Sequence, residues 1–283
     1  GINFSLGQRI TRPDQAEDLM RDFDAVILAT GAPRARYEMR GSQVDFKSHP
    51  QVTGASEFLE RLERGFDKAE ESARRTLDGQ NVVIVGNRLT AADVIGKSLR
   101  AGAQSISVID WYPVSLNELA ARSSSHEEIV AKSQSEPSRY SIFDDSVVAG
   151  LKDESGLLAV EVRNKSSGHI SAIKAHHVVM AIGYEGADPT VHELFRLSLR
   201  NGATVEADRY FGETRVPKLF CAGDNVHGAS VLVDAGAMGA RVGEAVHLYL
   251  NGQRPDITAL MPSQVIQLDR NQPRTYIPLN VIR

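Results

Sequence analysis

Residues 81–110 read NVVIVGNRLTAADVIGKSLRAGAQSISVID, and this stretch decides the fold. The apolar run NVVIV ends on a glycine turn, and the stretch after it carries apolar residues at helical spacing. A glycine-containing turn follows, and the segment closes on a second apolar run, ISVI. Short apolar runs bounded by turn residues read as buried strands, so the stretch is a strand, a tight turn, a helix, a turn and a second strand. That is a βαβ unit, and it places the chain in the α/β class.

Upstream, INFSLGQRI reads as a strand, and DQAEDLMRD leads into FDAVILATGA, an apolar strand ending on a small-residue turn. A loop with His49 and Pro50 precedes ASEFLERLERGF, a helix with Phe58, Leu59 and Leu62 on one face. Downstream, the polar stretch from Trp111 to Tyr140 is expected to be helical around HEEIVAK. SIFDDSVVAGLKDESGLLAVEVRN alternates as a hairpin that turns at Asp153 to Gly156, and HHVVMAIGY is another buried strand. VPKLFCAGDNVHGASVLVDAGAMGARVGEAVHLYLNG reads as a strand, a Gly-Asp turn and a long small-residue-rich helix closed by Asn251 and Gly252. The segment from Gln253 to Arg283 carries Pro255, Pro262, Pro273 and Pro278, which exclude regular helix and predict an extended tail.

The 283 residues suffice for two moderate domains, and 42% hydrophobic with 24% charged residues is ordinary for a globular protein. A net charge of −4 with no Lys/Arg run provides no field for a phosphate backbone, so a nucleic-acid partner is not expected. No apolar run reaches membrane-spanning length and the first residues lack the apolar core of a signal peptide, so a cytoplasmic protein without a membrane partner is expected. The one cysteine, Cys221, permits neither an internal disulfide nor a CxxC pair and reads as a small buried hydrophobe. Redox chemistry in such a chain rests on a borrowed cofactor, and no metal site is expected.

Three apolar strands end alike, in LATGA (Leu28 to Ala32), VMAIGY (Val179 to Tyr184) and LFCAGDN (Leu219 to Asn225). In doubly wound sheets ligands bind at the carboxyl ends of strands, where small residues let the backbone approach a cofactor. With the βαβ unit between them, these segments resemble, in order and over roughly residues 1 to 252, the glutamate synthase small-subunit family of FAD and NAD(P)H oxidoreductases. The resemblance implies two entwined Rossmann-like nucleotide-binding domains of the three-layer ββα type. An NAD(P)-type domain would span 78–186, and 1–77 with 187–252 would be an incomplete FAD-type domain. It further implies that Gly86, Asn87, Arg88, Thr90, Ala91, Asp110 and Gly183 bind NAD(P)H. Thr30, Gly31, Gly223, Asp224 and Ser230 would line the flavin, with the Leu232 and Val233 amides at the helix start facing its ring.

Departures from the family pattern carry their own expectations. Where a dinucleotide fingerprint has its second glycine the chain has Arg88, which either folds back to clamp a phosphate or occupies the phosphate's place. Asp110 ends the second strand where the family presents arginines. An acid there accepts hydrogen bonds from a ribose and repels a 2′-phosphate, favouring NAD over NADP, although a plain strand-end aspartate fits the sequence as well. Asp224 equally reads as a turn or cap residue. The βαβ unit that holds the FAD adenosine diphosphate, and an iron–sulfur domain before it, have no counterpart in this sequence. Another chain or a preceding segment is therefore expected to complete the FAD site.

The leading reading is an electron-transfer module that passes hydride from NAD(P)H to FAD and on to a redox partner subunit, with no catalytic side chain of its own. The rival is a scaffold subunit that keeps the fold and has lost nucleotide binding. A plain NAD-dependent dehydrogenase is weaker, because no His, Lys or Tyr constellation can be placed near the glycine turn.

Overall fold

The computed structural model describes residues 1–66, 76–201 and 203–254. Its centre is the βαβ unit: β3 (Asn81–Val85), α3 (Leu89–Arg100) and β4 (Ser105–Ile109), the two strands parallel from Asn81 opposite Ser105 to Val85 opposite Ile109. β5 (Tyr140–Phe143) pairs on β4, while β9 (His177–Met180) pairs on β3 and β2 (Val52–Gly54) on β9. The result is a five-stranded parallel sheet in the order β2-β9-β3-β4-β5.

Its strands are apolar on both faces, and each face has its own cover. Ile84, Ile106, Val108 and Val179 point to a layer made by α2 (Ala55–Phe66), α3 and α5 (Ser124–Ser135), where Phe58, Ile95 and Ile129 are buried. Val83, Val85, Ile109, Val178 and Met180 point the other way, onto Val148, Leu158 and Val160 of an antiparallel meander. The meander is β6 (Ser146–Glu154), β7 (Leu157–Asn164) and β8 (Ile170–Ala175). This is the three-layer ββα arrangement the resemblance implied.

A second unit is built on β1 (Val26–Leu28), parallel to β12 (Leu219–Cys221). Around this pair pack α1 (Pro13–Asp22) and α8 (Leu232–Leu250), with Leu28, Phe220, Met238 and Val242 buried between them. Shorter elements complete the chain: α4 (Leu116–Ala120), α6 (Pro189–Leu194), the β10–β11 hairpin (Leu199–Arg200 and Thr204–Val205) and α7 (Asp224–His227). As the sequence suggested, α8 closes at Asn251 and at Gly252, whose φ is +70°.

Four details differ from the sequence expectations. INFSLGQRI is no strand: Ile2, Phe4 and Leu6 are 82, 78 and 84% exposed, because alternation makes a strand only where a ladder partner and a core face exist. The boundary expected at residue 78 falls after β2 and α2, which join the middle sheet and its helical layer. Val52 to Gly54 can pair there because β9 offers a free edge, a long-range choice that local pattern does not encode. The hairpin turn is tighter than expected, at Ser155 and Gly156 alone, both at positive φ, and Tyr140–Phe143 belongs to the parallel sheet rather than to the hairpin. The extended tail lies, from residue 255 onward, outside the described residues. Among the described residues no helix is long and apolar enough to cross a membrane.

Three histidines packed into these layers are held neutral. Burial, reinforced by Arg61 and His176, pushes the His177 imidazole from 6.5 down to about 4, and burial also lowers His126 and His192. Their neutral forms are favoured in the folded chain. The stability this gives is complete above pH 6.5 and is lost as the pH falls from there toward 4. Urea unfolding followed between pH 7 and pH 4 should show this decline. His177→Gln should remove its share, at most about 3 kcal/mol.

Candidate cofactor site

The carboxyl ends of β3, β4 and β9 meet at one rim of the sheet. Gly86 makes the meeting possible: at φ +110° its backbone lies against β9's end, and a Cβ there would sit 2.4 Å from the Ala181 carbonyl oxygen. The Gly86 N–H donates to Ile109 O (2.8 Å) and the Ala181 N–H to Val85 O (2.8 Å), tying the three ends together. Asn87 and Arg88 lead from Gly86 into α3. Arg88 is the N-cap without a side-chain cap bond, so the first amides of a 12-residue helix open on this rim. Ala91, at the position where a dinucleotide turn needs a small residue, is fully buried behind it.

Two buried polar atoms at this rim have no hydrogen-bond partner among the described residues. Asn87 is 2% exposed; its carbonyl and its Oδ1 both accept from Arg122 Nη1, at 3.0 and 2.6 Å, leaving Nδ2 without a hydrogen bond. Asp110 is buried, and its Oδ2 accepts no bond among the described residues. Burial pushes the Asp110 carboxyl above the usual carboxylate range, against the pull of the Tyr112 amide and of the Arg122 and Arg88 charges. The next residue, Trp111, is held between cations, with Lys165 Nζ at 4.0 Å and Arg40 at 5.3 Å from its ring centroid. Its ring edge occupies the space where any side chain at residue 41 would begin, which Gly41 leaves open.

The rim is one wall of a cleft of about 890 Å³. A second wall is the segment from Arg36 to Arg40, fixed by the Arg36 N–H to Gly183 O (2.9 Å) and the Glu185 N–H to Arg34 O (2.8 Å). Ala229 to Val231 and Asp234, from the β1–β12 unit, form a third. The structure thus brings Gly86, Asn87, Arg88, Thr90, Asp110 and Gly183 together with Ser230 in one space. Arg88 is exposed at its edge, and its guanidinium makes no hydrogen bond among the described residues.

The remaining expected residues gather at the ends of β1 and β12. Thr30 Oγ1 donates to Asn225 Oδ1 (3.1 Å), and Asn225 Nδ2 donates to Leu28 O (3.0 Å), pegging the two strand ends to each other. Gly31 and Gly223 both have left-handed backbones (φ +70° and +65°), and nothing lies within 4 Å of where a Gly31 Cβ would stand. Asp224 accepts from Ser230 Oγ (2.8 Å), a bond that fixes the approach to α8. The helix begins at Leu232, which is 88% exposed, and the Leu232 and Val233 amides make no hydrogen bond among the described residues. Thr30 itself faces a separate hollow beside β1, lined by Ile10, Phe23 and Val26. Cys221 is fully buried in β12, and burial pushes its thiol up to about 12, so no thiolate is available there.

Residues 3–240 match the family model described as pyridine nucleotide-disulphide oxidoreductase. The chain belongs to this family. The chain is similar to the glutamate synthase [NADPH] small chains of Bacillus subtilis, 26% identical over 89% of this chain and 55% of the relative, and of Mycobacterium tuberculosis, 28% identical over 89% and 54%. The NADP(+)-dependent formate dehydrogenase subunit beta of Moorella thermoacetica is 24% identical over 88% of this chain and 35% of its own. The chain thus spans about half the length of the glutamate synthase small chains it matches. In structure it is similar to a copper(II) complex of the flavoprotein disulfide reductase RclA from Escherichia coli, with a TM-score of 0.53, 13% identity, and 81% of this chain covered against 44% of that one. That likeness supports the oxidoreductase fold.

Sequence reasoning passed over Arg122, Arg40 and Asn225. Arg122 and Arg40 sit in segments without a motif and reach the site only through the tertiary fold. Asn225 had a signal, its place directly after Gly223-Asp224 in a buried strand-end turn. Gly86→Ala should be the most damaging small change at the rim, costing on the order of 2 kcal/mol or more through the positive φ and the Ala181 contact. Chemical denaturation beside wild type measures it.

Proposed function

We propose that this chain is the nucleotide-handling part of an NAD(P)H-dependent flavin oxidoreductase, whose middle unit holds the pyridine nucleotide and whose β1–β12 unit holds part of the flavin. One observation carries the reading: the glycine turn, Asp110 and Gly183 face the approach to α8 across a single cleft. The polar atoms left over at the rim suit a dinucleotide. Asn87 Nδ2 and the α3 amides are donors for a phosphate, and Asp110 Oδ2 is an acceptor for a ribose hydroxyl. Gly31 leaves room for close approach on the flavin side, and the free amides of α8 put its positive end where a reduced flavin gathers negative charge.

When bound, the two cofactors supply the hydride donor and the electron-accepting ring. The chain's own residues position them. Gly183, with open space on the side where a Cβ would point, leaves the floor of the cleft clear between the two sites. Asp110 sets the preference for the nucleotide. Its carboxylate favours a free 2′-hydroxyl, so NADH is the better fit, although the bacterial small chains are named for NADPH. Asp110→Ala is expected to weaken NADH binding about tenfold and NADPH binding less, measured by titration of each nucleotide.

The rest of the flavin site is supplied by a further segment or another chain. Supporting this, β1 pairs only with β12 among the described strands, its outer edge is free, and Ile27 on it is 44% exposed beside the hollow that Phe23 lines. Electrons then pass to a redox partner, in keeping with relatives that are subunits by name. The test is an absorbance spectrum of the protein purified with its natural partners, followed by anaerobic NADH or NADPH. A flavin spectrum that bleaches is the expected result. A colourless preparation inert to both nucleotides would overturn the reading and leave a scaffold that keeps the fold.

A further inference from the structure

We infer that Arg122 is a phosphate-binding residue of the cleft, standing in for the backbone contact that the turn loses by carrying Arg88 at its second glycine position. The inference rests on the reading of the cleft as a dinucleotide site. Arg122 arrives from the connection between α4 and α5, and Nη1 grips both oxygens of Asn87. That grip orients the guanidinium beside the helix start, and Nη2 and Nε make no hydrogen bond among the described residues. A planar fork with one corner anchored and its other donors free is suited to a phosphate oxygen pair.

Several neighbours support the assignment. Asn87 Nδ2, buried and unpartnered, lies on the same turn and presents a further donor. Four arginines line the cleft against three carboxylates, although the chain as a whole carries a charge of −4, so the site is locally positive. The other three arginines are less suited. Arg36 bonds the Tyr184 carbonyl, Arg40 lies over Trp111, and the exposed Arg88 side chain has no hydrogen bond to fix it among the described residues. Beneath Arg122, His126 is fully buried with Nδ1 2.9 Å from Ser123 Oγ, and burial keeps it neutral, so it adds no competing cation. The charge of Arg122 is felt by Asp110 and Glu118, and Arg122 forms no ion pair among the described residues.

The phosphate could be one of the bridging pyrophosphate or a ribose 2′-phosphate, since Arg122 lies near both Asn87 and Asp110. Trp111, the single tryptophan of the chain, lines the cleft, so its fluorescence reports occupancy. The experiment titrates the full chain with ADP-ribose, with 2′-phospho-ADP-ribose and with adenosine, in wild type, Arg122→Gln and Arg122→Lys. Arg122→Gln should weaken ADP-ribose binding about 10- to 100-fold while adenosine binding stays as in wild type; the melting midpoint falls with the two lost bonds to Asn87 but the chain remains folded at the titration temperature, and Arg122→Lys should recover part of the ADP-ribose loss. An equal loss for both phosphorylated ligands assigns the pyrophosphate, and a loss confined to 2′-phospho-ADP-ribose assigns the 2′-phosphate. Unchanged affinity for both, or an equal loss for adenosine, overturns the role of Arg122 while the cofactor reading stands. A wild-type chain that binds neither phosphorylated ligand overturns the cofactor reading itself.

Discussion

A parallel sheet whose strands are apolar on both faces cannot leave either face in water, and the rest of this molecule follows from meeting that demand. Val82 to Val85 and Ile106 to Ile109 alternate toward two different cores, one under helices and one under an antiparallel meander. With both faces covered, the ends of the central strands remain open. The site therefore lies at a rim, where three chain ends turn at once and where glycine is the residue that lets two of them touch. The cleft is a consequence of covering the sheet.

What could be read from the sequence divides along the same line. The βαβ unit was legible because its strands are short apolar runs, its helix has the right period, and Gly86 and Gly102 punctuate them, all local properties. Turn chemistry at Gly156 and the closing residues of α8 were legible for the same reason. The first ten residues misled because alternation is necessary for a strand but a partner is what makes one. β2 misled in the opposite direction: three residues carry little pattern, and their membership of the middle sheet is decided by the free edge of β9, formed by residues more than a hundred positions away.

The site was legible where it is made of backbone and hidden where it is made of side chains. Gly86, Gly183 and Gly223 announce themselves, since a positive φ leaves a residue type behind in the sequence. Asp110 could be placed by its position at the end of β4, but not its unpartnered oxygen, which depends on what surrounds it. Arg122 is separated from Asn87 by two helices and a strand, and nothing in its local sequence marks it. The question the sequence left open at Arg88, clamp or obstacle, changes form in the structure. Arg88 is exposed at the edge of the cleft, and the guanidinium fixed beside the turn is a different one.

One connection shapes how the two units relate. The chain enters the middle unit near Ala35 and leaves it near Tyr184, and these two residues are bridged to each other in antiparallel fashion. The whole excursion between them therefore closes on itself, and to the host unit it is a single long loop with adjoining ends. Closure entropy grows only slowly with loop length, so an insert of this size burdens the host little more than a short one would. The middle unit is in this sense a cassette. Its gain, enlargement or replacement leaves β1 and β12 free to pair as before, and a host that tolerates exchange at one doorway can acquire a different nucleotide specificity without rebuilding its own core.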